Sequence, residues 1–243
     1  MKKILLIILG VLLIGGIAGY FILNEKRPEG TDPERADLVA RHMLAAVNDS
    51  AWQATAAVEW TFMNSHHHLW DKDRHLARVR WKDHEVLLDI NSITGTAMTK
   101  GETVTGKQAE KLVKKAYSFW ANDSFWLNPV SKAFDSGTTR TMVNLKDGRE
   151  GLMVSYASGG VTPGDAYVWL LDEQHRPTSW KMWVSIIPVG GIEVPWNNWM
   201  VTETGAVICN LHDSVIDLEL TGIRTAFALE ELTGGSDPFS VLL

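Results

Sequence analysis

The amino-acid sequence predicts an α+β fold: a curled, incompletely closed antiparallel β-barrel of about 9 to 11 strands with helices covering its concave face. Three observations support this prediction. Apolar and polar residues alternate with a period of two in many short runs, tight-turn residues join these runs, and only two longer segments show helical periodicity. Because the strands come in blocks rather than alternating with helices, an antiparallel arrangement is favoured over a parallel one.

The chain opens with "MKKILLIILGVLLIGGIAGYFIL", in which residues 4–23 carry no charge. About twenty helical residues rise about 30 Å, which matches the hydrocarbon core of a bilayer. We therefore predict an N-terminal transmembrane anchor over residues 1–24, with a cleaved signal peptide ending near "GIAG" as the alternative. Lys2 and Lys3 favour a cytoplasmic N-terminus. The rest of the chain is then expected beyond the inner (cytoplasmic) membrane, facing the periplasm or the cell exterior.

Residues 25–32 are polar and contain proline, as expected of a short linker, and residues 33–243 are predicted to form a single β-rich domain. Asp32 can cap a helix that begins at Pro33, where the missing N–H of proline costs nothing. Apolar residues then recur at helical spacing up to residue 48, so this first helix should bury one stripe.

Strand-like runs lie on both sides of a second amphipathic helix, which begins at "TGKQ" and ends near "NDSFW". Before this helix come "AVEWTFM", "LARVRWKD" and "EVLLDI"; after it come "TTRTMVNL", "GLMVSYA", "AYVWLLDE", "TSWKMWVSI", "WNNWMVTE", "GAVICNLH" and "SVIDLEL". Alternating side chains in most of these runs are typical of half-buried antiparallel strands. The pair Asp147 and Gly148 between two runs is a strong hairpin signal.

Several segments are similar to an uncharacterised family of bacterial envelope proteins assigned to the lipoprotein-carrier superfamily, the LolA and LolB type. These segments are "FWANDSFWLNP", "FDSG", "SYASGGVTPGDAYVW", "LLDEQHRPTSWKMW" and "IPVGGIEVPW", and the resemblance covers roughly residues 35–215. The resemblance implies an extracytoplasmic location and a LolA-like half-barrel whose interior suits a lipid or an acyl chain. The chain departs from those carriers in its apparent membrane span and its lack of a cysteine for lipid attachment. This departure favours a fixed lipid-handling or sensing role over a shuttling one.

Charge and cysteine content exclude several functions. Of the 23 basic residues, Lys2 and Lys3 precede the apolar run, so 21 basic groups remain against 29 acidic ones, a net charge of −8. Without a basic stripe, nucleic acid is not an expected partner. Cys209 is the only cysteine, so no internal disulfide can form, and its alternation with Val207 and Leu211 predicts a buried thiol.

The stretch "HHHLWDKDRH", residues 66–75, concentrates potential metal ligands. On a strand, His66 and His68 share one face, so at most two of the three consecutive histidines can converge on one ion. Further ligands would have to come from elsewhere, from among His75, His84, Asp71, Asp73 and Asp83. We expect a polar hairpin end and no metal, and a metal-dependent hydrolase built on the His66–His75 hairpin is the alternative.

Sequence motifs of known enzyme classes are missing. The chain has no G-x-S-x-G nucleophile elbow, no phosphate-binding loop and no pair of histidines four apart on a helix in a zinc-hydrolase signature. The glycine-rich "SGGVTPGD" is interpreted as a turn. No catalytic residue and no cofactor is therefore predicted, which favours a binding protein over an enzyme.

Eleven tryptophans are the most unusual feature of the composition. They are consistent with a solid aromatic core, which would suit an interaction module, or with a partly filled cavity that binds a hydrophobic small molecule or lipid. We favour the second interpretation, with the membrane as a further partner through the N-terminal helix. The predicted ligand-binding residues are Trp60, Phe62, His68, Trp70, Val79, Trp81, Leu88, Tyr167, Trp169 and Trp183.

Overall fold

The computed structural model describes residues 23–158, 163–213 and 217–242. The predicted anchor over residues 1–24 lies almost wholly outside this part of the chain, and within it no helix has the length and apolar character needed to cross a bilayer. From residue 32 onward the helices are α1 (Pro33–Ala46), α2 (Asp49–Ala54), α3 (Gly106–Leu127) and α4 (Leu229–Thr233), with 3₁₀ turns at Val130–Lys132 and Ser240–Leu242.

The described residues also contain thirteen strands, which form one antiparallel sheet in the order β6-β5-β4-β3-β2-β1-β13-β12-β11-β10-β9-β8-β7. Within the described chain β6 and β7 are the edges, so the sheet is not closed. The α+β class and the open antiparallel sheet are thus confirmed. The strands are β1 (Ala57–Phe62), β2 (His66–Asp71), β3 (Leu76–Trp81), β4 (His84–Asp89), β5 (Thr94–Thr99), β6 (Glu102–Val104), β7 (Thr138–Asn144), β8 (Glu150–Tyr156), β9 (Ala166–Leu171), β10 (Pro177–Trp183), β11 (Ile192–Val201), β12 (Val207–His212) and β13 (Leu218–Ala226).

The number of strands exceeds the predicted 9 to 11. Strands β5 and β6 are absent from the predicted runs because β6 is an edge strand and β5 is its neighbour, and in these two strands only Ala97 is fully buried. Such strands are held by backbone hydrogen bonds and need no alternation of apolar side chains.

Helix α1 begins as the sequence predicts. The backbone N–H of Arg35 donates to the Asp32 carboxylate at 3.1 Å, which satisfies one of the free N–H groups of the first turn. The helix buries Ala36, Ala40 and Met43 and packs against β7 and β8. We call the sheet face that contacts α1 the inner face.

Helix α3 lies across the same inner face and contacts β3, β4, β5 and β12. Its 22 residues rise about 33 Å, enough to cross several strands about 4.8 Å apart. Val113 and Ala116 are buried in its first half, and Asp123, Ser124 and Leu127 in its second half. One helix therefore covers strands from both halves of the sheet, and it positions the candidate site.

The C-terminal tail, for which the sequence predicted no element, covers the opposite, outer face of the sheet. Phe239 is fully buried there with Leu69, Leu76 and Leu87, next to α4. Arg74 connects the tail to the sheet, because its guanidinium donates to Asp71 at 2.6 Å and to Asp237 at 2.8 Å.

The stretch predicted as a linker makes ordered contacts with the outer face. The Glu25 backbone N–H donates to the Gly190 carbonyl at 2.9 Å, and the Glu25 carboxylate accepts from Lys181 at 2.6 Å. Thr31 then forms a bridge with Met142 at the free edge of β7. Residues 25–31 therefore run from β10 to β7 before the chain turns onto the inner face as α1.

Candidate functional site

A cavity of about 490 Å³ lies between the second half of α3 and the inner face of β8, β9 and β10. This volume falls within the range of about 300 to 1,000 Å³ that is usual for small-molecule sites. Its lining is more apolar than polar. The large apolar and aromatic side chains in it are Tyr117, Trp120, Phe125 and Trp126 from α3, Tyr156, Tyr167 and Met182 from the sheet, Ile90 from the turn after β4, and Val184, Ile186 and Ile187 from the loop after β10.

Aromatic rings in mutual contact form the floor of the cavity. The centroid of the buried Trp180 ring lies 4.5 Å from that of Tyr167, 5.9 Å from that of Phe125 and 5.1 Å from that of Trp126. Since Phe125 and Trp126 belong to α3 and the other two rings belong to strands, these contacts hold the helix against the sheet. The floor is therefore closely packed even though the space above it is open.

The mouth of the cavity combines one exposed apolar side chain with a polar rim. Ile186 is 74% exposed although it also lines the cavity. Asn91, Asp135, Ser136 and Ser158 are exposed lining residues as well. A ligand can therefore reach the apolar interior from solvent past groups that can bind water or a polar end.

Tyr156 places a hydroxyl in this lining. Its Oη atom is buried and has no hydrogen-bond partner among the described residues. Burial raises the pKa of Tyr156 far above its usual value, so the hydroxyl stays protonated and can donate. An unsatisfied buried hydroxyl costs about 1 to 3 kcal/mol, which an acceptor oxygen on a ligand would recover in part.

Of the residues predicted to bind a ligand, only Tyr167 lines the cavity. Trp169 lies behind the floor, where its ring centroid is 4.9 Å from that of Trp180. Trp183 lies on the outer face, and its indole N–H donates to the Glu25 carbonyl at 2.9 Å. The other predicted residues lie on the inner face of β1 to β4, in clusters packed against α3 or its neighbours: Trp60, Phe62, His68, Trp70, Val79, Trp81 and Leu88.

The predicted ligand-binding residues included none of the aromatic residues of α3. The helix carries two aromatic pairs, Phe119 with Trp120 and Phe125 with Trp126, which is more than one buried stripe requires. This excess of aromatic residues could have pointed to α3 as part of a binding site, because aromatic residues on more than one side of a helix indicate contacts on more than one side.

A second polar feature lies on the other side of α3, where two histidines of β2 meet one carboxylate. His66 Nδ1 and His68 Nε2 each lie 2.8 Å from Asp123 Oδ2. The other carboxylate oxygen, Oδ1, accepts from the Asn122 side chain at 2.9 Å. We call His66, His68 and Asp123 the His–Asp cluster.

Aromatic rings enclose the His–Asp cluster. The His68 ring stacks on Trp60 with centroids 4.5 Å apart, and the His66 ring stacks on Phe119 at 3.8 Å. His68 and Asp123 are almost fully buried, and the side chain of His66 is 18% exposed. Solvent is therefore excluded from the cluster on the side of His68 and can reach it on the side of His66.

The electrostatics of the cluster follow from this burial. Burial lowers the pKa of His68 below its usual value, against the opposing effect of the Asp123 carboxylate. For Asp123, burial acts to raise the pKa, but the hydrogen bonds from His66 and His68 outweigh burial and lower it below its usual value. The carboxylate therefore stays ionised in a largely apolar environment.

The structure changes the interpretation of the histidine-rich stretch. Two of its three consecutive histidines converge, which is within the predicted limit of two, but the expected polar hairpin end is wrong for His68, which is 2% exposed. His67 points to the other face and bonds to Thr61 at 2.9 Å, and His75 is exposed in a turn. The third member comes from α3, 55 residues after His68.

A scan against models of known protein families finds none that matches this chain, and a search of curated proteins finds no significant match. The resemblance to the lipoprotein-carrier superfamily therefore stays a prediction. Function has to be inferred from the cavity and the cluster themselves.

Proposed function

We propose that this protein is a membrane-tethered, extracytoplasmic binding protein that holds a hydrophobic ligand, a lipid or an acyl chain, in a LolA-like half-barrel cavity. The observation that supports this proposal best is the cavity of about 490 Å³ with aromatic walls between α3 and β8, β9 and β10. Apolar walls bind an apolar chain by removing its surface from water, at about 25 cal/mol per Å². Binding of this kind requires no catalytic group.

The distribution of polar groups favours an amphiphilic ligand. Lys132, Asp135, Ser136 and Ser158 belong to the lining, and the last three of them are exposed. Phe125 and Met182 lie deeper, against the ring floor. A ligand with an apolar body and a polar end would therefore place its body inside and its polar end at the rim.

The position of Asn24 is compatible with the proposed membrane tether. The Asn24 side chain accepts from the Gly190 backbone N–H at 2.8 Å, and Gly190 follows Ile186 by only four residues. If residues 4–23 span the inner membrane as the sequence predicts, the span would end close to the cavity mouth. A lipid could then pass between the bilayer and the cavity over a short distance, on the periplasmic or exterior side.

The test uses the full-length chain in its native membranes and a fatty acid that carries a diazirine and an alkyne. After illumination, labelled peptides are isolated through the alkyne and identified by mass spectrometry. The variant Ala121→Trp adds an indole to the cavity wall, and Ala45→Trp adds the same group to an exposed position of α1 as a matched control.

We expect labelling of peptides that contain residues 117–126 or 182–187, loss of most of this labelling in Ala121→Trp, and no change in Ala45→Trp. Labelling confined to residues 1–24 would contradict the proposal. Equal labelling of the cavity peptides in both variants would contradict it too, because the added indole would then not compete with the probe.

A further inference from the structure

We propose that the His–Asp cluster is a binding site for one divalent transition-metal ion of the zinc class, with His66 Nδ1, His68 Nε2 and an oxygen of Asp123 as its ligands. This site lies outside the cavity of the proposed function: none of its three ligands lines the cavity. Metal binding at the cluster can therefore be tested separately from the binding of a hydrophobic ligand in the cavity.

The three donor atoms are close enough to share one ion. All of them lie within 4.8 Å of one another, and each nitrogen is 2.8 Å from Asp123 Oδ2. Zinc lies about 2.0 to 2.2 Å from imidazole nitrogen and carboxylate oxygen in tetrahedral geometry, so two of its ligands are about 3.3 to 3.6 Å apart. Each nitrogen would therefore move away from Oδ2 by roughly 0.6 Å, and the two nitrogens would approach each other by at most about 1.5 Å, to coordinate one ion.

The charge of Asp123 favours a cation at this place. Its carboxylate is 1% exposed, and among the described residues its ion-pair partners are His66 and His68, without a lysine or arginine. The buried carboxylate of Asp71 differs, because the Arg74 guanidinium lies 2.6 Å from it. A buried carboxylate needs a compensating charge, and a divalent ion between two neutral imidazoles supplies it.

The surroundings orient the donors as a metal site requires. Asn122 donates to Asp123 Oδ1 at 2.9 Å and leaves Oδ2 directed at the histidines. Trp60 and Phe119 stack on the two imidazole rings and restrict their rotation. Such supporting contacts are usual around bound metals, because they set ligand direction before the ion arrives.

The ligand set indicates the class of ion. Two imidazoles and one carboxylate suit zinc and neighbouring first-row ions better than calcium or magnesium, which prefer oxygen ligands. Three protein ligands leave a position for water or another molecule, and the partly exposed side of His66 gives access to it. On binding, the proton on each coordinating nitrogen leaves or moves to the other ring nitrogen.

The test measures zinc binding by the full-length protein after removal of metal with a chelator, by isothermal titration calorimetry and native mass spectrometry. The informative variants are His66→Gln and Asp123→Asn, and His67→Gln is the matched control, because His67 lies on the same strand but on the other face. Circular dichroism checks the folding of each variant. If Asp123→Asn fails to fold, His66→Gln carries the test, since its side chain is partly exposed.

We expect one zinc ion per chain in the wild type and in His67→Gln, and affinity at least about 100-fold weaker in His66→Gln and Asp123→Asn, because even the loss of a supporting contact commonly costs about 10- to 100-fold. A wild type that binds no zinc would overturn the proposal. Unchanged affinity in a folded His66→Gln variant would overturn it as well, because the ion would then be bound elsewhere.

Discussion

Helix α3 covers two regions of the inner face that differ in how completely they are filled. Over β3 and β4 its residues Val113 and Ala116 join Val79 and Leu88 in a cluster in which all four are buried. Over β8 to β10 the same helix encloses the cavity of about 490 Å³. We call the first the filled region and the second the open region.

The side chains of α3 explain the difference. Small and β-branched residues such as Ala116 and Val113 let a helix approach a sheet closely, as interaxial distance depends on the side chains at the contact. Further along, Trp120, Phe125 and Trp126 place large rings between the helix and the sheet, where they contact Trp70 and Trp180. The cavity therefore depends on a change in side-chain size along one helix, and the loop after β10 completes its wall.

The prediction with the largest expected effect compares the loss of stability when one side chain is truncated in each region. Leu88→Ala removes a fully buried side chain from the filled region and should lower the free energy of unfolding by about 2 to 5 kcal/mol. Ile187→Ala removes a half-buried side chain beside existing space and should cost less than about 1.5 kcal/mol. Urea denaturation of both variants measures the difference. Equal costs would show that the open region is as tightly packed as the filled one.

The second prediction concerns His212, the buried histidine beside the open region. Its Nε2 lies 3.2 Å from the Trp126 carbonyl, and burial lowers the pKa of His212 from 6.5 to about 4 although that carbonyl opposes the shift. The unfolded chain therefore binds more protons, and stability is lost as the pH falls from about 6.5 towards 4, by at most about 3 kcal/mol. Above about pH 6.5 and below about pH 4, the contribution of His212 to the free energy of unfolding does not change with pH.

Denaturation of the wild type and His212→Gln at pH 7.5, 5.5 and 4.5 checks this prediction, since glutamine cannot titrate. The difference in unfolding free energy between the two proteins should shift in favour of His212→Gln as the pH falls. A constant difference across the three pH values would contradict a lowered pKa for His212.

The third prediction is that added side-chain volume changes stability in opposite directions in the two regions. Ala116→Leu adds volume to the filled region, where Ala116 is fully buried, and should destabilise by about 1 to 3 kcal/mol. Ala121→Leu adds the same volume to the cavity wall and should stabilise the ligand-free protein by about 0.5 to 1 kcal/mol. Thermal denaturation measures both. If both variants lose stability, the cavity lacks the space that the comparison requires.

The prediction with the smallest expected effect concerns the floor of the open region and asks whether a reagent can pass through it to Cys209. Cys209 is buried in the same cluster as Trp180 and Trp196, its thiol lies 2.8 Å from the Asn197 carbonyl, and burial raises its pKa to about 12. The native thiol should therefore not react with a disulfide reagent at pH 8, whereas the protein in guanidinium should release one equivalent. Rapid reaction in the native state would mean that the cavity extends through its floor.

Local patterns in the sequence were enough to predict several features. The period-two runs predicted most strands and the antiparallel α+β class, because the pleat places alternate side chains on opposite faces. Asp32 and Pro33 predicted the start of α1, since a helix cap depends only on the adjacent turn. The same alternation placed His66 and His68 on one face of the strand and His67 on the other, which limited any convergence to two of the three.

Tertiary structure alone decided where the functional features lie. Strands β5 and β6 carry almost no alternation, because backbone pairing needs no particular side chains and few side chains are buried near this end of the sheet. The partner of His66 and His68 had to be found across the 55 residues that separate His68 from Asp123. Trp183 follows the buried Trp180 by three residues, so alternation puts the two on opposite faces, but only the structure shows that Trp183 is the one on the outer face, beside Glu25.

The sequence by itself determined which side chains lie on the same face of each strand and where helices begin, because these properties depend on neighbours within one or two turns. The distance between α3 and each strand depends on the combined volumes of side chains from segments far apart in the chain. Only the folded structure could therefore separate the filled region from the open one, and join Asp123 to two histidines.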